Sequence, residues 1–122
     1  MSDPVRILLA DDHPLVRTGV RRILEAQPGL TVAGEVSTGD AALDFLRADP
    51  VDVLVLDLTM PGTGGDRVLA ELRRIRPEVP VVMVSGYEEP ALRDGLRPDA
   101  FVHKPFVLEE LVEALRRVMP RG

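Results

Sequence analysis

The sequence predicts an α/β fold, a (βα)5 doubly wound parallel sheet, and two observations favour it. Short apolar runs alternate along the chain with stretches whose apolar residues recur at helical spacing, which is the pattern of βαβ units. The third run, Val53 to Leu56, is apolar at every position, as is typical of a parallel strand buried on both faces. Because parallel strands are joined by right-handed crossovers, we expect helices on both faces of an open sheet. With 122 residues, a single domain over residues 1 to 122 is expected.

The first strand is predicted from Val5 to Ala10, and Pro14 suits the first turn of the helix that follows. The inner face of this helix is predicted from four apolar residues at helical spacing: Val16, Val20, Ile23 and Leu24. Arg17, Arg21 and Arg22 are expected on its solvated face, because charged side chains are rarely buried.

The middle of the chain predicts a second strand from Leu30 to Val36 and two further helices. The second helix starts at Thr38, and its inner face is expected to hold Ala41, Ala42, Phe45 and Leu46. The third helix runs from Gly65 to Arg76, and its inner face is expected to hold Val68, Leu69, Leu72 and Ile75.

The last third of the chain predicts two more strands, Pro80 to Val84 and Ala100 to His103. Between them, Glu88 to Gly95 leaves room for only a short helix, because Pro98 forbids its continuation. A final amphipathic helix is predicted over residues 108 to 118.

Composition excludes several classes of function. The chain has no cysteine, which excludes disulfides, zinc–thiolate sites and thiol nucleophiles. Its formal net charge of −5 argues against non-specific binding to nucleic acid. No apolar run approaches the length of a membrane span, and the N-terminus lacks the features of a signal peptide. A cytoplasmic protein with no membrane partner is therefore expected.

Polar side chains follow the ends of four predicted strands. Asp11 and Asp12 follow the first strand, Asp57 ends the third, Ser85 ends the fourth and Lys104 follows the fifth. These ends meet at one edge of a parallel sheet, where α/β proteins bind their ligands. Three crowded carboxylates need a cation or a proton at neutral pH, and oxygen ligands alone suit Mg²⁺. Taken by itself, Asp57 also has a simpler interpretation as the cap of a turn.

Lys104 is the only lysine among 15 basic residues, although a lone lysine can also be an accident of composition. An ammonium is a compact point charge, whereas a guanidinium is a wide planar fork, so a lone lysine indicates a place where arginine would not serve. Together with Ser85, Lys104 is expected to complete a pocket for a phosphoryl group. Asp57, the most central carboxylate, is the natural nucleophile and would form an aspartyl phosphate. Mg²⁺ and Lys104 would neutralise the phosphoryl oxygens.

These motifs, in this order, resemble the receiver (CheY-like) domain of bacterial two-component response regulators. The motifs are Asp11-Asp12, Asp57 followed by LTMPGTGG, Ser85-Gly86 and FVHKPF at residues 101 to 106. DDHPLVRTGVRRIL and VAGEVSTGDAAL resemble the NarL/LuxR-type subfamily in particular. The resemblance covers nearly the whole chain and implies a flavodoxin-like fold with strand order 2-1-3-4-5.

By position, the resemblance makes Asp57 the phosphoacceptor, which a sensor histidine kinase phosphorylates. It implies Mg²⁺, with Mn²⁺ as the alternative, bound directly by Asp12, Asp57 and the main-chain carbonyl of Thr59, while Asp11 acts mainly through water. The domain would be a phosphorylation-switched signalling domain and not an enzyme, because it would catalyse only its own phosphoryl transfer and dephosphorylation.

The resemblance also makes Ser85 the switch hydroxyl that moves to the phosphate and Phe101 the aromatic residue that follows it inward. Lys104 would hold the phosphate, and Pro105 would follow a cis peptide bond. From the residues alone, Ser85 as a turn residue and Phe101 as plain core remain the alternatives. His13 and His103 are interpreted as bystanders, because they are not spaced with the carboxylates as ligands.

The expected partners are the kinase and an output domain or downstream protein, and a phosphorylation-dependent dimer stays open. NarL/LuxR-type regulators usually carry a C-terminal helix-turn-helix domain, but this sequence stops after one amphipathic helix, so direct DNA binding is not carried over. The chain is then either a stand-alone receiver or a piece of a longer regulator. The interval from Ser85 to Lys104 is also shorter than the family pattern, by about one helical turn.

Three other functions compete with this interpretation. A haloacid-dehalogenase-like phosphatase needs a second Asp two residues after its nucleophile, where Thr59 stands. A flavodoxin-type flavin carrier needs a Ser/Thr/Gly-rich phosphate loop after the first strand, where Asp11 and Asp12 would repel phosphate. A pseudo-receiver that serves only as an interaction module would not need the full acidic set together with Lys104.

Overall fold

A computed structural model describes residues 3–58, 65–85, 96–104 and 108–119 of the chain. The strands in these ranges are β1 (Val5–Ala10), β2 (Leu30–Val36), β3 (Val53–Asp57), β4 (Val81–Ser85) and β5 (Ala100–His103). The helices are α1 (Pro14–Glu25), α2 (Gly39–Ala48), α3 (Gly65–Ile75) and α4 (Leu108–Val118). The short helix predicted from Glu88 to Gly95 lies outside the described residues and stays a prediction.

The five strands form one parallel sheet in the order β2-β1-β3-β4-β5, which confirms the predicted fold class and strand order. β3 is central, and the strand order reverses between β1 and β3, where open α/β sheets bind ligands. The pairing of β1 with β2 shifts by one residue between Ile7 and Leu8, so that Leu8 is opposite Gly34 and Leu9 is opposite Glu35. A shift of this kind changes which side chains of β2 face each side of the sheet.

Helices cover both faces of the sheet, and each face has its own core. On one face, α2 and α3 bury Ala42, Leu43, Leu46, Val68, Leu69 and Leu72. On the other face, α1 and α4 bury Leu24, Leu111, Ala114 and Leu115. Successive residues of β3 face the two cores alternately, which explains why this strand is apolar at every position before Asp57. Truncating the fully buried Leu54 to Ala would cost about 2–5 kcal/mol.

The helix starts agree with the sequence. Pro14 occupies the first turn of α1, and the hydroxyl of Thr38 accepts a hydrogen bond from the main-chain N–H of Ala41 at 3.1 Å, which caps α2. Such a cap contributes about 1 kcal/mol. His13 is the N-cap residue of α1, but its side chain makes no capping hydrogen bond. Among the described helices, none is both long and apolar enough to cross a bilayer.

Some predicted details of α1 and α2 were wrong. Val16 was expected on the inner face of α1 but is 40% exposed, and Leu24 is the one buried residue of that helix. Val16 does face inward, but it lines a cavity with Leu9, Val55 and Leu111, so its side chain is not sealed from solvent. In α2, Leu43 is buried where Ala41 was expected, because α2 packs against α3 as well as the sheet.

The bounds of β4 and α3 also differ from their predictions, and β4 begins at Val81 instead of Pro80. β4 was expected to stop at Val84 but includes Ser85, because Ser85 pairs with His103 of β5 and its carbonyl accepts the N–H of Lys104 at 2.7 Å. α3 ends at Ile75, one residue earlier than predicted, and that side chain is only partly buried.

Carboxylates at the amino edge of the sheet are paired with the starts of strands. Oδ2 of Asp52 accepts the main-chain N–H of Arg6 at 2.8 Å, and Oδ2 of Asp99 accepts that of Val81 at 2.8 Å. Asp99 also accepts from the guanidinium of Arg73 at 2.7 Å. These carboxylates accept hydrogen bonds from main-chain N–H groups at the starts of strands, so their role is structural.

Candidate functional site

The carboxyl edge of the sheet brings together the carboxylates that the sequence singled out. Asp57 is the last residue of β3, and Asp11 and Asp12 follow β1, its neighbour in the sheet. One carboxylate oxygen from each of the three lies within 4.8 Å of the others. Ser85 ends β4 and Lys104 follows β5 at the same edge. The predicted cluster is therefore present where the strand order reverses.

Asp57 is buried, and Lys104 is its ion-pair partner. The side chain of Asp57 is 1% exposed, and Nζ of Lys104 lies 3.1 Å from its Oδ2 and 3.9 Å from Oδ2 of Asp11. An ionised carboxylate at this depth needs an opposite charge or hydrogen bonds. The three carboxylates and one ammonium leave a formal charge of −2, which one divalent cation would neutralise.

His13 lies within this cluster, contrary to the expectation that it is not spaced with the carboxylates. Its Nδ1 is 3.1 Å from Oδ1 of Asp11, 3.1 Å from Oδ1 of Asp12 and 3.6 Å from Oδ2 of Asp57. Because the His13 side chain makes no cap for α1, its ring can turn toward the acids instead. The sequence signal was its position directly after Asp12, at the end of a strand. His103, exposed at the end of β5, does not belong to the cluster.

The donor set fits a hard divalent cation. Oδ1 of Asp12 is buried and makes no hydrogen bond within the described part of the chain, although Nδ1 of His13 is 3.1 Å away. A buried polar atom that makes no hydrogen bond lowers the stability of the fold by about 1–3 kcal/mol. A cluster dominated by carboxylate oxygens, one of them unsatisfied, suits Mg²⁺ or Mn²⁺. Asp11, Asp12 and Asp57 are the described residues that would hold the ion.

The predicted switch pair, Ser85 and Phe101, lies on adjacent strands. Ser85 is buried in β4, whereas Phe101 is partly buried in β5, opposite Met83, and packs against the core formed with α2 and α3. Thr59 and Pro105 lie outside the described residues. The carbonyl ligand and the cis peptide bond therefore stay predictions.

A second correction concerns Arg17, which was expected on the solvated face of α1. Its Nη1 donates to the main-chain carbonyl of Asp11 at 2.9 Å, and its Nε donates to Oε1 of Glu35 at 3.1 Å. Arg21 donates to the other oxygen of Glu35 at 2.8 Å. Arg17 thus touches the segment that carries the acidic pair. No local pattern in the sequence could show this contact, because it joins a helix to a strand.

The fold and the acidic pocket define a doubly wound α/β domain with a cluster of acidic side chains at its switch point that could hold a metal ion. A family model described as the response regulator receiver domain matches residues 7–116. The chain therefore belongs to the response regulator receiver domain family of two-component systems, as its motifs predicted.

The relatives agree with the NarL/LuxR-type resemblance. This chain is 41% identical over 122 residues to the "Probable transcriptional regulatory protein NarL" of Mycobacterium tuberculosis strain CDC 1551, with 94% of this chain and 56% of that protein covered. It is 38% identical over 117 residues to the response regulator UvrY of Escherichia coli O6:H1 strain CFT073, with 93% of this chain and 54% of that protein covered. The chain therefore spans about half the length of these relatives.

A solved structure has the same fold. The signal receiver domain of NarL from Mycobacterium tuberculosis superposes with a TM-score of 0.84 at 36% identity, with 94% of this chain and 95% of that chain covered.

Proposed function

We propose that this receiver domain takes a phosphoryl group onto Asp57 and switches conformation in response. The observation that carries the proposal is the setting of Asp57, a buried carboxylate at the end of the central strand. Asp11 and Asp12 flank it, and Lys104 contacts it at 3.1 Å. A nucleophile next to a cation site and an ammonium is the equipment that phosphoryl transfer requires.

In the proposed reaction, a carboxylate oxygen of Asp57 attacks the phosphorus of a phosphohistidine on a sensor histidine kinase. The new O–P bond forms as the P–N bond breaks, and the imidazole keeps the electron pair and takes up a proton. The product is an aspartyl phosphate, which water later hydrolyses to restore Asp57 and release inorganic phosphate. The chain acts only on itself, so it is a switch and not an enzyme with an external product.

The residues around Asp57 have separate tasks in this proposal. Asp12, Asp57 and the main-chain carbonyl of Thr59 would hold Mg²⁺ or Mn²⁺, which would supply charge neutralisation, and Asp11 would contribute through water. Lys104 holds a phosphoryl oxygen as a point charge. Ser85 donates its hydroxyl to another phosphoryl oxygen, and Phe101 follows it inward. The phosphorylated state thereby changes β4 and β5.

The signal then passes to an output domain or a downstream protein. NarL is named as a "Probable transcriptional regulatory protein" and UvrY as a response regulator, and this chain covers about half of each, so transcription control is the output that these relatives favour. Dimerisation on phosphorylation is a second route for the signal. Direct contact with nucleic acid by residues 1 to 122 is not proposed, because their net charge is −5.

Intact-mass spectrometry after incubation with acetyl phosphate tests the proposal. Wild-type protein should gain one phosphoryl group with Mg²⁺ or Mn²⁺ and none with EDTA, whereas Asp57→Asn should gain none in either condition. Asp44→Asn, at an 82% exposed side chain on α2, is the matched control and should label like wild type. Equal labelling of wild type and Asp57→Asn would overturn the assignment.

A further inference from the structure

We propose that Arg17 is a positioning residue for the cation site and acts through the main chain of Asp11. This inference rests on the proposed function, because it concerns the same site. The carbonyl of Asp11 accepts Nη1 of Arg17 at 2.9 Å, and the N–H of Asp11 donates to the carbonyl of Val36 at 3.0 Å. The backbone of Asp11 is therefore held on one side by α1 and on the other by the end of β2.

Arg17 is itself held in place by Glu35. Nε of Arg17 donates to Oε1 of Glu35 at 3.1 Å, while Arg21 occupies Oε2 at 2.8 Å. The side chains of Arg17 and Glu35 are only 23% and 21% exposed, so their ion pair is partly shielded from water. A rigid guanidinium fork donates to Glu35 and to the Asp11 carbonyl at once in a fixed geometry, whereas an ammonium on a flexible stem would hold the two groups less rigidly.

The register shift in the β1–β2 pairing sets the direction of Glu35. Before the shift, Leu30 and Val32 of β2 pack into the core beneath α1 and α4, whereas beyond it Val36 packs into the opposite core. The side-chain alternation of β2 is therefore inverted after the shift, which turns Glu35 toward α1. The register shift therefore places Glu35 where its carboxylate can accept the hydrogen bond from Arg17.

The contacts favour positioning over charge neutralisation. The charge of Arg17 is met by Glu35, and its bond to Asp11 goes to the main chain and not to the carboxylate. What Arg17 controls is the path of the chain as it leaves β1. That path sets where Asp11 and Asp12 stand relative to Asp57, which β3 fixes independently.

Loss of Arg17 should therefore weaken metal binding. Groups that orient metal ligands without touching the metal typically change its affinity 10–100-fold when removed, and we expect Arg17→Ala to bind Mn²⁺ about 10-fold more weakly. Arg17→Lys keeps the charge and loses the fork, so we expect it to restore only part of the affinity. Glu35→Gln should weaken binding in the same direction, because Arg17 loses its ionic anchor.

Electron paramagnetic resonance of free Mn²⁺, titrated alone into the full chain, measures this affinity. Arg22→Ala, an exposed arginine on the same helix, is the matched control and should bind like wild type. The rate of labelling by acetyl phosphate distinguishes weaker metal binding from a general structural defect, because excess Mn²⁺ would correct only the first. In Arg17→Ala that rate should return to the wild-type maximum at saturating Mn²⁺, because the defect lies in metal occupancy.

The outcomes separate this inference from the function on which it rests. Wild-type affinity in Arg17→Ala, to within about 2-fold, would overturn the inference and leave the proposed function standing. Absence of Mn²⁺ binding by wild type would overturn the proposed cation site and the inference with it. If Arg17→Ala does not fold, Glu35→Gln decides, and wild-type affinity in that variant overturns the inference.

Discussion

Nζ of Lys104 lies 3.1 Å from Oδ2 of Asp57, so the only lysine of the chain contacts the carboxylate that ends the central strand. Lys104 follows β5, and β4 lies between β5 and β3 in the sheet. Its side chain therefore reaches across the end of β4, next to Ser85, to meet Asp57. A long flexible stem with a compact charge at its tip suits this reach.

Lys104→Arg should impair the switch although it keeps the positive charge. The planar fork is wider than an ammonium and should not fit between Asp57 and a phosphoryl oxygen in the same place. Beryllofluoride, added with Mg²⁺ as a phosphate mimic, should produce full NMR shifts in wild type and incomplete shifts in Lys104→Arg. A full response in the variant would show that the lone lysine is an accident of composition.

Millimolar Mg²⁺ should raise the melting temperature of wild-type protein, because a ligand that binds only the native state stabilises it by mass action. Asp57→Asn removes one of the three carboxylates and should show little or no increase. Differential scanning fluorimetry with and without EDTA makes the comparison. An unchanged melting temperature in wild type would count against a cation site.

The NMR signals of the His13 ring should respond to a cation bound at the same carboxylates. Because its Nδ1 lies 3.1–3.6 Å from the three carboxylates, trace Mn²⁺ should broaden its ring signals strongly in NMR spectra. The chain has two histidines, and His103 lies outside the cluster, so its signals should broaden less. His103→Gln assigns the two sets of signals. Equal broadening of both rings would contradict the placement of His13.

Most of the fold could be predicted because four of the strands contain a short apolar run that ends at a turn or at a polar residue, whereas β2, with Thr31, Gly34 and Glu35, alternates only weakly. β1, β2, β5 and α4 have the bounds that the sequence indicated. The cluster of Asp11, Asp12 and Asp57 was also predictable, because parallel strands bring their carboxyl ends to one edge.

Contacts between different elements could not be predicted in the same way. The pairing of Arg17 with Glu35 depends on the register shift in β2, and a one-residue shift moves a side chain to the other face of the sheet. His13 was missed for a related reason, because the spacing of residues along the chain does not give the direction of a ring at a helix start.

Replacing Asp57 by Asn should stabilise the metal-free fold. Among the described residues, Asp57 faces two like charges, Asp11 and Asp12, and one ammonium, Lys104, and its own carboxylate is almost fully removed from water. A pair of unit charges 4 Å apart interacts by about 4 kcal/mol at an effective dielectric constant of 20, so two repulsions outweigh one attraction. Lys104 also keeps a second carboxylate, Asp11, at 3.9 Å when Asp57 is neutral.

The free energy of unfolding in urea, measured in EDTA, should therefore rise by about 1 kcal/mol or more in Asp57→Asn. Asp44→Asn makes the same chemical change at an exposed position and should stay within about 0.5 kcal/mol of wild type. Adding Mg²⁺ should reduce the difference in the free energy of unfolding between wild type and Asp57→Asn, because wild type keeps all three carboxylates and Asp57→Asn keeps two. A fall in the stability of Asp57→Asn below that of Asp44→Asn would mean that the ion pair with Lys104 outweighs the repulsion among the acids.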